Sequence, residues 1–172
     1  MWLVWFAAAV LLVFGFVVFW GAPYVPSKKR ELVQAFDQLY PLSGKDVLVD
    51  IGSGDGVVLR QAARRGARAV GYELNPLLVF FSRWITRHEP LVSVYLANFW
   101  RVSLPAETTI VYTFGESRDI AKMAQKVESE AKRLKKPLVF MSYAFAVPGQ
   151  TPYKTYGAYF VYKYDPLQIK KP

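Results

Sequence analysis

After an opening stretch with no polar interruption, the chain alternates between two hydrophobic periods. Residues 2–22 carry no charge and are almost wholly Val, Leu, Phe, Ala and Trp. From Ser27, a residue type that caps helix starts, the apolar positions Leu32, Val33, Phe36, Leu39 and Tyr40 fall on one helical face. Short apolar runs at 46–51, 68–73, 91–97, 109–114 and 137–145 read as strands. Helices are predicted between them. One keeps Val58, Leu59, Ala62 and Ala63 inward and stops at Gly66. A very apolar one runs from Leu77 to about Thr86, opened by Asn75 as cap and Pro76 at the first helical position. A third is striped by Ile120, Met123, Val127, Ala131 and Leu134. Past Pro148-Gly149 two short strands follow, at 153–156 and 158–164, with a turn near Gly157. Strands alternating with helices, then a terminal strand pair, predict a doubly wound α/β sheet with an antiparallel edge. The segment 98–107 is too short for a crossover helix, so a thin or irregular layer is expected there. No internal repeat or low-complexity tract occurs.

The opening stretch changes the picture from one domain to a domain with an appendage. Roughly 20 apolar residues span a bilayer as a helix. Trp2, Trp5 and Trp20 sit near the two ends, where amphipathic rings favour the lipid–water interface. A cleaved signal peptide would carry a basic start, a shorter apolar core and a small-residue cleavage site, and residues 1–3 and 21–26 supply none of these. The expected organisation is an anchor over 1–22, a stiff proline-containing linker over 23–27 and a domain over 28–172. Basic residues stay on the cytoplasmic side, and Lys28-Lys29-Arg30 follows the segment directly. A single-pass membrane protein is expected, with its domain on the cytoplasmic side, or the matrix side in a mitochondrion.

Candidate chemistry concentrates where the first strand ends. Val47-Leu48-Val49-Asp50-Ile51 runs into Gly52-Ser53-Gly54-Asp55-Gly56, and the second strand ends at Glu73, 21 residues past Gly52. A strand, a tight glycine turn, a helix and a second strand ending in an acid make a Rossmann-like nucleoside-cofactor site. The spacing here is G-x-G-x-G, and the third glycine of the dinucleotide pattern would be Val57. A pyrophosphate binds bare N–H groups at a helix start, and Asp50 and Asp55 would repel it. S-adenosyl-L-methionine (SAM) carries a sulfonium and an ammonium, which such acids favour. The residues thus point to SAM over a nicotinamide cofactor, with a ligand-free glycine turn as the bland alternative.

Charge and cysteine content narrow the field less. The formal net charge is +9, all of it arising after residue 27. Part is ordinary helix surface, as at Arg64-Arg65 and 132–136. Part can hold the domain against anionic headgroups, and nucleic acid would use the same field. The chain has no cysteine, which excludes thiol catalysis, disulfides and cysteine zinc sites. No metal site is read from the sequence, and His88 is expected at a surface helix end.

The run D-I-G-S-G-D-G, then V-G-Y-E-L-N-P-L-L-V-F-F-S-R, then N-F-W-R-V-S-L resembles the seven-stranded protein-lysine methyltransferases of mitochondria and their prokaryotic relatives. Substrates in that family include the ATP synthase c-subunit and the adenine nucleotide translocase, both membrane proteins. The likeness covers about 24–164, including a Y-V-P-S approach to the domain. The resemblance implies a seven-stranded SAM methyltransferase sheet. It implies that Asp50, Gly52, Ser53, Gly54, Asp55 and Gly56 hold the methionine end of SAM, and that Glu73, with Leu74 and Asn75 behind it, takes the ribose hydroxyls. Asn98 stands where the family has an aspartate facing the adenine amino group, with Phe99 beside it; an amide oxygen still accepts from an amine. Glu116-Ser117-Arg118-Asp119 replaces an apolar, proline-containing stretch of the family, a departure on the substrate side.

Methyl transfer from a sulfonium is an in-line displacement, in which alignment alone can supply several kcal/mol. A lysine amine must first lose its proton, and an apolar aromatic slot favours the neutral form, while cation–π contacts hold the methylated amine. Phe99, Trp100, Phe114, Tyr143 and Phe145 lie at strand ends, with Trp100 and Tyr143 the leading slot residues. Glu116 either orients the amine and accepts its proton through water, or is an acid in a helix first turn. The expected partner is a protein with an accessible lysine at or near the membrane, with no nucleic acid. Other classes stay open: a lipid or small-molecule methyltransferase, an RNA methyltransferase, and a catalytically silent assembly partner. Nucleic-acid N-methylating enzymes usually carry [DN]-P-P-[FYW] after the fourth strand, where this chain reads Phe114-Gly115-Glu116-Ser117.

Overall fold

A computed structural model describes residues 1–6, 8, 29–115 and 117–167. The expected anchor falls almost wholly outside these residues, as does Glu116. Among the described residues, no helix is long and apolar enough to cross a membrane.

The domain opens with α1 (Lys29–Leu39), whose Leu32, Ala35, Phe36 and Leu39 are buried. Then come β1 (Val47–Ile51), α2 (Val57–Ala63), β2 (Arg68–Glu73), α3 (Pro76–Ile85), β3 (Val92–Leu96), β4 (Ile110–Phe114), α4 (Ile120–Leu134), β5 (Leu138–Tyr143), β6 (Lys154–Tyr156) and β7 (Tyr159–Tyr164). The strands form one seven-stranded sheet in the order β3-β2-β1-β4-β5-β7-β6. The first five are parallel, and β7 pairs antiparallel with both β5 and β6. Sheet order reverses between β1 and β4, and in such folds ligands bind outside the carboxyl ends of strands at that switch point.

Side chains alternate across the strands, so β1 feeds two cores. Leu48 joins Ile110, Tyr112, Met141 and Tyr159 on the face covered by α1 and α2. Val49 and Ile51 join Val111, Phe140 and Tyr162 on the face covered by α4. The β3–β4 connection holds only a 3-10 turn, Phe99–Arg101, in keeping with the shortness of that segment. Helix α4 pins it. Buried Glu130 accepts from the Leu104 N–H at 2.8 Å, Arg133 donates to the Leu104 carbonyl at 2.7 Å, and Lys126 donates to the Val102 carbonyl at 2.8 Å. Polar side chains thus take the place of the missing helix, satisfying a loop backbone laid over the core.

At the far end of β1, Asp46 ties α1 to the sheet. Its carboxylate accepts from the hydroxyls of Tyr40 at 2.7 Å, Ser43 at 2.9 Å and Thr109 at 3.0 Å, and from the Ser43 N–H at 2.9 Å. Partial burial opposes its ionisation, but these hydrogen bonds prevail and hold the carboxyl below its usual range.

Candidate cofactor and methyl-transfer site

The glycine turn leaves β1 at the switch point and is fastened to the end of β2. Gly52 and Ser53 N–H groups donate to the Tyr72 carbonyl at 2.8 and 3.2 Å, and Gly56 N–H closes the turn on the Ser53 carbonyl at 2.8 Å. Glu73 completes the fastening. Its Oε2 accepts from Gly54 N–H at 2.9 Å, and its Oε1 accepts from Leu74 and Asn75 N–H at 2.7 and 2.8 Å. The sequence suggested Glu73 as a ribose acceptor. The structure adds that one carboxylate staples the turn to the start of α3, and that Leu74 and Asn75 serve it with their backbones. Asn75 also caps α3, its Oδ1 accepting from Leu77 N–H at 3.0 Å.

The outer glycines of the turn do different things. Gly52 lies at φ +72°, and a Cβ there would meet no atom within 4 Å. It borders open space. Gly56 lies at φ +75°, and a Cβ would fall 2.4 Å from Ser82 Oγ on α3. Its smallness serves helix packing. Ser53 is buried, and its Oγ has no hydrogen-bond partner among the described residues. A Cβ on Gly71 would stand 2.5 Å from that oxygen, so Ser53 is turned against the sheet and contributes to the turn through its backbone.

The three acids also divide their tasks. Asp55 Oδ1 accepts from Val57 N–H at 3.1 Å in the first turn of α2, and its Oδ2 lies 3.4 Å from Arg60. The sequence read it as a cofactor acid; the structure shows its carboxylate meeting that helix start and Arg60. Asp50 is 2% exposed and, among the described residues, no donor meets its carboxylate. Burial foremost, then the charges of Glu73 and Asp55, push its carboxyl well above the usual carboxylate range. An ionised carboxylate so placed is costly unless a cation or donor meets it. Asp50, two residues before the open face of Gly52, suits a cation better than an anion.

The other predicted residues lie along the same edge of the sheet. Asn98 follows β3, and its Oδ1 accepts from Trp100 N–H at 3.0 Å. That oxygen, expected to face an adenine amine, already caps the 3-10 turn, with its second lone pair left over. Phe99 is buried, with Lys126 Nζ 5.2 Å from its ring centroid, and meets Trp100 edge-on at 5.6 Å; Trp100 is exposed. Phe114 and Tyr143 are register partners at the ends of β4 and β5 and pack edge-to-face at 4.8 Å. Tyr143 also lies against Tyr159, at 4.6 Å, and its hydroxyl donates to Glu31 Oε2 on α1 at 3.0 Å. Phe145 packs against the α4-side core. Sequence reasoning missed Glu31. Its only signal was an acid in the first turn of α1, which a helix dipole explains equally well.

This sheet order, with an acid-lined glycine turn at its switch point, is that of the SAM-dependent methyltransferases. A solved RNA methyltransferase from Salinibacter ruber with S-adenosyl-L-homocysteine superposes with a TM-score of 0.75, over 86% of this chain and 97% of that one, at 24% identity. At that identity the likeness is one of fold. The family model described as the ANTKMT methyltransferase domain matches residues 50–154, and the chain belongs to that family. It is 35% identical over 138 residues to the ATP synthase c-subunit lysine N-methyltransferase of Rattus norvegicus, covering 78% of this chain and 61% of that protein. It is 38% identical over 86 residues to the adenine nucleotide translocase lysine N-methyltransferase of Mus musculus, covering 48% of this chain and 37% of that one. The chain spans about half the length of the curated relatives it matches. SAM is the cofactor that this fold and family imply, and the unpartnered Asp50 carboxyl beside Gly52 fits its cationic end.

Proposed function

We propose that the chain is a SAM-dependent protein-lysine N-methyltransferase, tethered to a membrane by residues 1–22, with its domain on the cytoplasmic or matrix side. The family match over 50–154 carries this reading, because it spans the glycine turn, Glu73, Asn98 and the Phe114 and Tyr143 strand ends. Both curated relatives named above are lysine N-methyltransferases.

SAM supplies an electrophilic methyl on a sulfonium. Asp50 and the open face of Gly52 hold its cationic methionine end, and Glu73 takes the ribose hydroxyls with the lone pairs its three backbone donors leave. The Asn98 amide borders the adenine. Phe114 and Tyr143 wall the acceptor side, where an apolar aromatic surface lowers the pKa of an entering lysine. Tyr143 donates its hydroxyl proton to Glu31, which fixes the direction of the hydroxyl beside the Phe114 ring. Glu31 sets that orientation and adds negative charge behind it. The tether keeps the domain near membrane-borne substrates and raises their effective concentration without any new contact.

The test is product identification. Membranes holding the full chain are incubated with methyl-labelled SAM, and the labelled product is digested and read by mass spectrometry. Methyl groups on lysine side chains are expected. Label confined to lipid, RNA or a small metabolite would replace the acceptor class while leaving the cofactor site standing.

A further inference from the structure

Helix α3 is apolar on the wrong side. It buries only Val79 and Ser82, while Leu77, Phe80, Phe81 and Trp84 are 58%, 74%, 47% and 57% exposed. These positions recur at helical spacing on one outward face, where a helix covering a sheet ordinarily shows polar residues. Leu74, just before the helix, and Leu96, on the same face of β3 as Val94, are also exposed and extend the surface toward the site. Contiguous exposed apolar surface of this kind marks an interaction site.

The rim of the face says what covers it. Arg83 and Arg87 are exposed and lie along the apolar surface. Arg83 Nε donates to the Val94 carbonyl at 2.9 Å, and the Arg87 guanidinium stands 5.2 Å from the Trp84 ring centroid while donating to the Trp84 carbonyl at 2.7 Å. Phe80, Phe81 and Trp84 side by side with arginines is the composition of helices that lie in a membrane interface. Aromatic rings enter the headgroup boundary, and cationic heads reach the phosphates. No acid occurs from Leu74 to His88, and the chain carries +9 overall. The uncharged residues 2–22, long enough for one bilayer crossing, lead within a few residues into α1.

We infer that the outer face of α3 docks on an anionic bilayer surface, with Leu77, Phe80, Phe81 and Trp84 in the interface and Arg83 and Arg87 on lipid phosphates. This rests on the membrane reading above and deepens it. Since α3 starts just after Glu73, docking brings the cofactor turn to the plane of the headgroups. The acceptor lysines are then those close to the bilayer surface, and a lysine carried far above it is out of reach.

The absence of cysteine makes the test clean. Phe80→Cys in the full chain gives a single nitroxide label on a solvent-facing side chain, and Ser129→Cys on exposed α4 surface gives the reference. Each is reconstituted into vesicles of phosphatidylcholine and phosphatidylglycerol. Collision with oxygen, which concentrates in lipid, is compared with collision with an aqueous nickel chelate. The label at 80 should favour oxygen severalfold over the label at 129, and Arg83→Glu with Arg87→Glu should reduce that preference. If the chain floats with the vesicles but the label at 80 meets nickel as freely as that at 129, the docking inference falls and the tether stands. A label immobilised and shielded from both reagents means that protein covers the face, either the chain's own first residues or a second copy, and likewise overturns it. Failure to float at all sinks the membrane reading and this inference with it.

Discussion

The Tyr143 hydroxyl, at the end of β5, donates to Glu31 in the first turn of α1 at 3.0 Å, across 112 residues of sequence. The contact links the first helix of the domain to the aromatic pair at the ends of β4 and β5. Tyr143→Phe keeps the ring packing on Phe114 and loses only the hydroxyl. A hydrogen bond to a charged group contributes on the order of 1.5–3 kcal/mol, so transfer should slow by roughly tenfold or more while SAM affinity stays within about twofold. Glu31→Gln should slow transfer too, and the double variant should be no worse than Tyr143→Phe alone. Single-turnover rates beside SAM titrations check this, and additive losses would separate the two residues.

Asp50 makes cofactor binding sensitive to pH. Its folded-state pKa lies above the unfolded value of about 3.9, so the folded chain holds the extra proton between the two values. Stability of the ligand-free domain therefore falls as pH rises from the unfolded value through the raised one. SAM favours the ionised carboxyl, so its affinity should rise over that same window and its binding should release a proton. Calorimetry in buffers of different ionisation enthalpy measures that proton. Asp50→Asn should bind weakly and independently of pH in this range.

Asp46 carries the opposite sign. Its folded-state pKa is depressed, so its stabilisation is full above the unfolded value and is lost as pH falls through the lower folded one. Asp46→Ala strands the Tyr40 and Thr109 hydroxyls and should cost about 1.5–3 kcal/mol at neutral pH, with the difference from wild type shrinking in acid. Denaturant titrations at several pH values would show this, and SAM affinity of the folded fraction should not change.

Gly52 and Gly56 should separate binding from folding. Gly56→Ala meets Ser82 Oγ and an unfavourable φ together, and should destabilise by about 2–4 kcal/mol. In a Ser82→Ala background part of that loss should return. Gly52→Ala meets only the φ penalty, on the order of 1–2 kcal/mol. It should nevertheless weaken SAM binding more than Gly56→Ala does, because its methyl group enters the open face beside Asp50. Melting temperatures paired with SAM titrations would rank the two.

The pattern of apolar positions anticipated every strand to within two residues at either end, because each run is bounded by a turn residue or a change of period. Asn75-Pro76 located the start of α3, since a cap and a first-turn proline are local chemistry. The parts that stayed hidden depend on contacts distant in sequence. Nothing local distinguishes an acid that caps a helix from one buried without a donor, and so Asp55 and Asp50 looked alike. Only pairing of Val57 and Arg60 with the first, and deep burial of the second, separates them. Glu31 met Tyr143 only once α1 had folded against the far end of β5. The run of α3 read only as a very apolar helix, and which of its faces is exposed became visible only with the sheet in place.

Glu73 is the residue on which the proposed cofactor site most depends, because it staples the glycine turn and is the proposed ribose acceptor. Titration calorimetry of the full chain with SAM, on wild type and on Glu73→Ala, measures that double role. Loss of an acceptor for the ribose hydroxyls, about 1.5–3 kcal/mol, predicts at least a tenfold drop in affinity, together with a lower melting temperature from the released Gly54, Leu74 and Asn75 N–H groups. Unchanged SAM affinity in Glu73→Ala, or tighter binding of NAD than of SAM by the wild type, would contradict it.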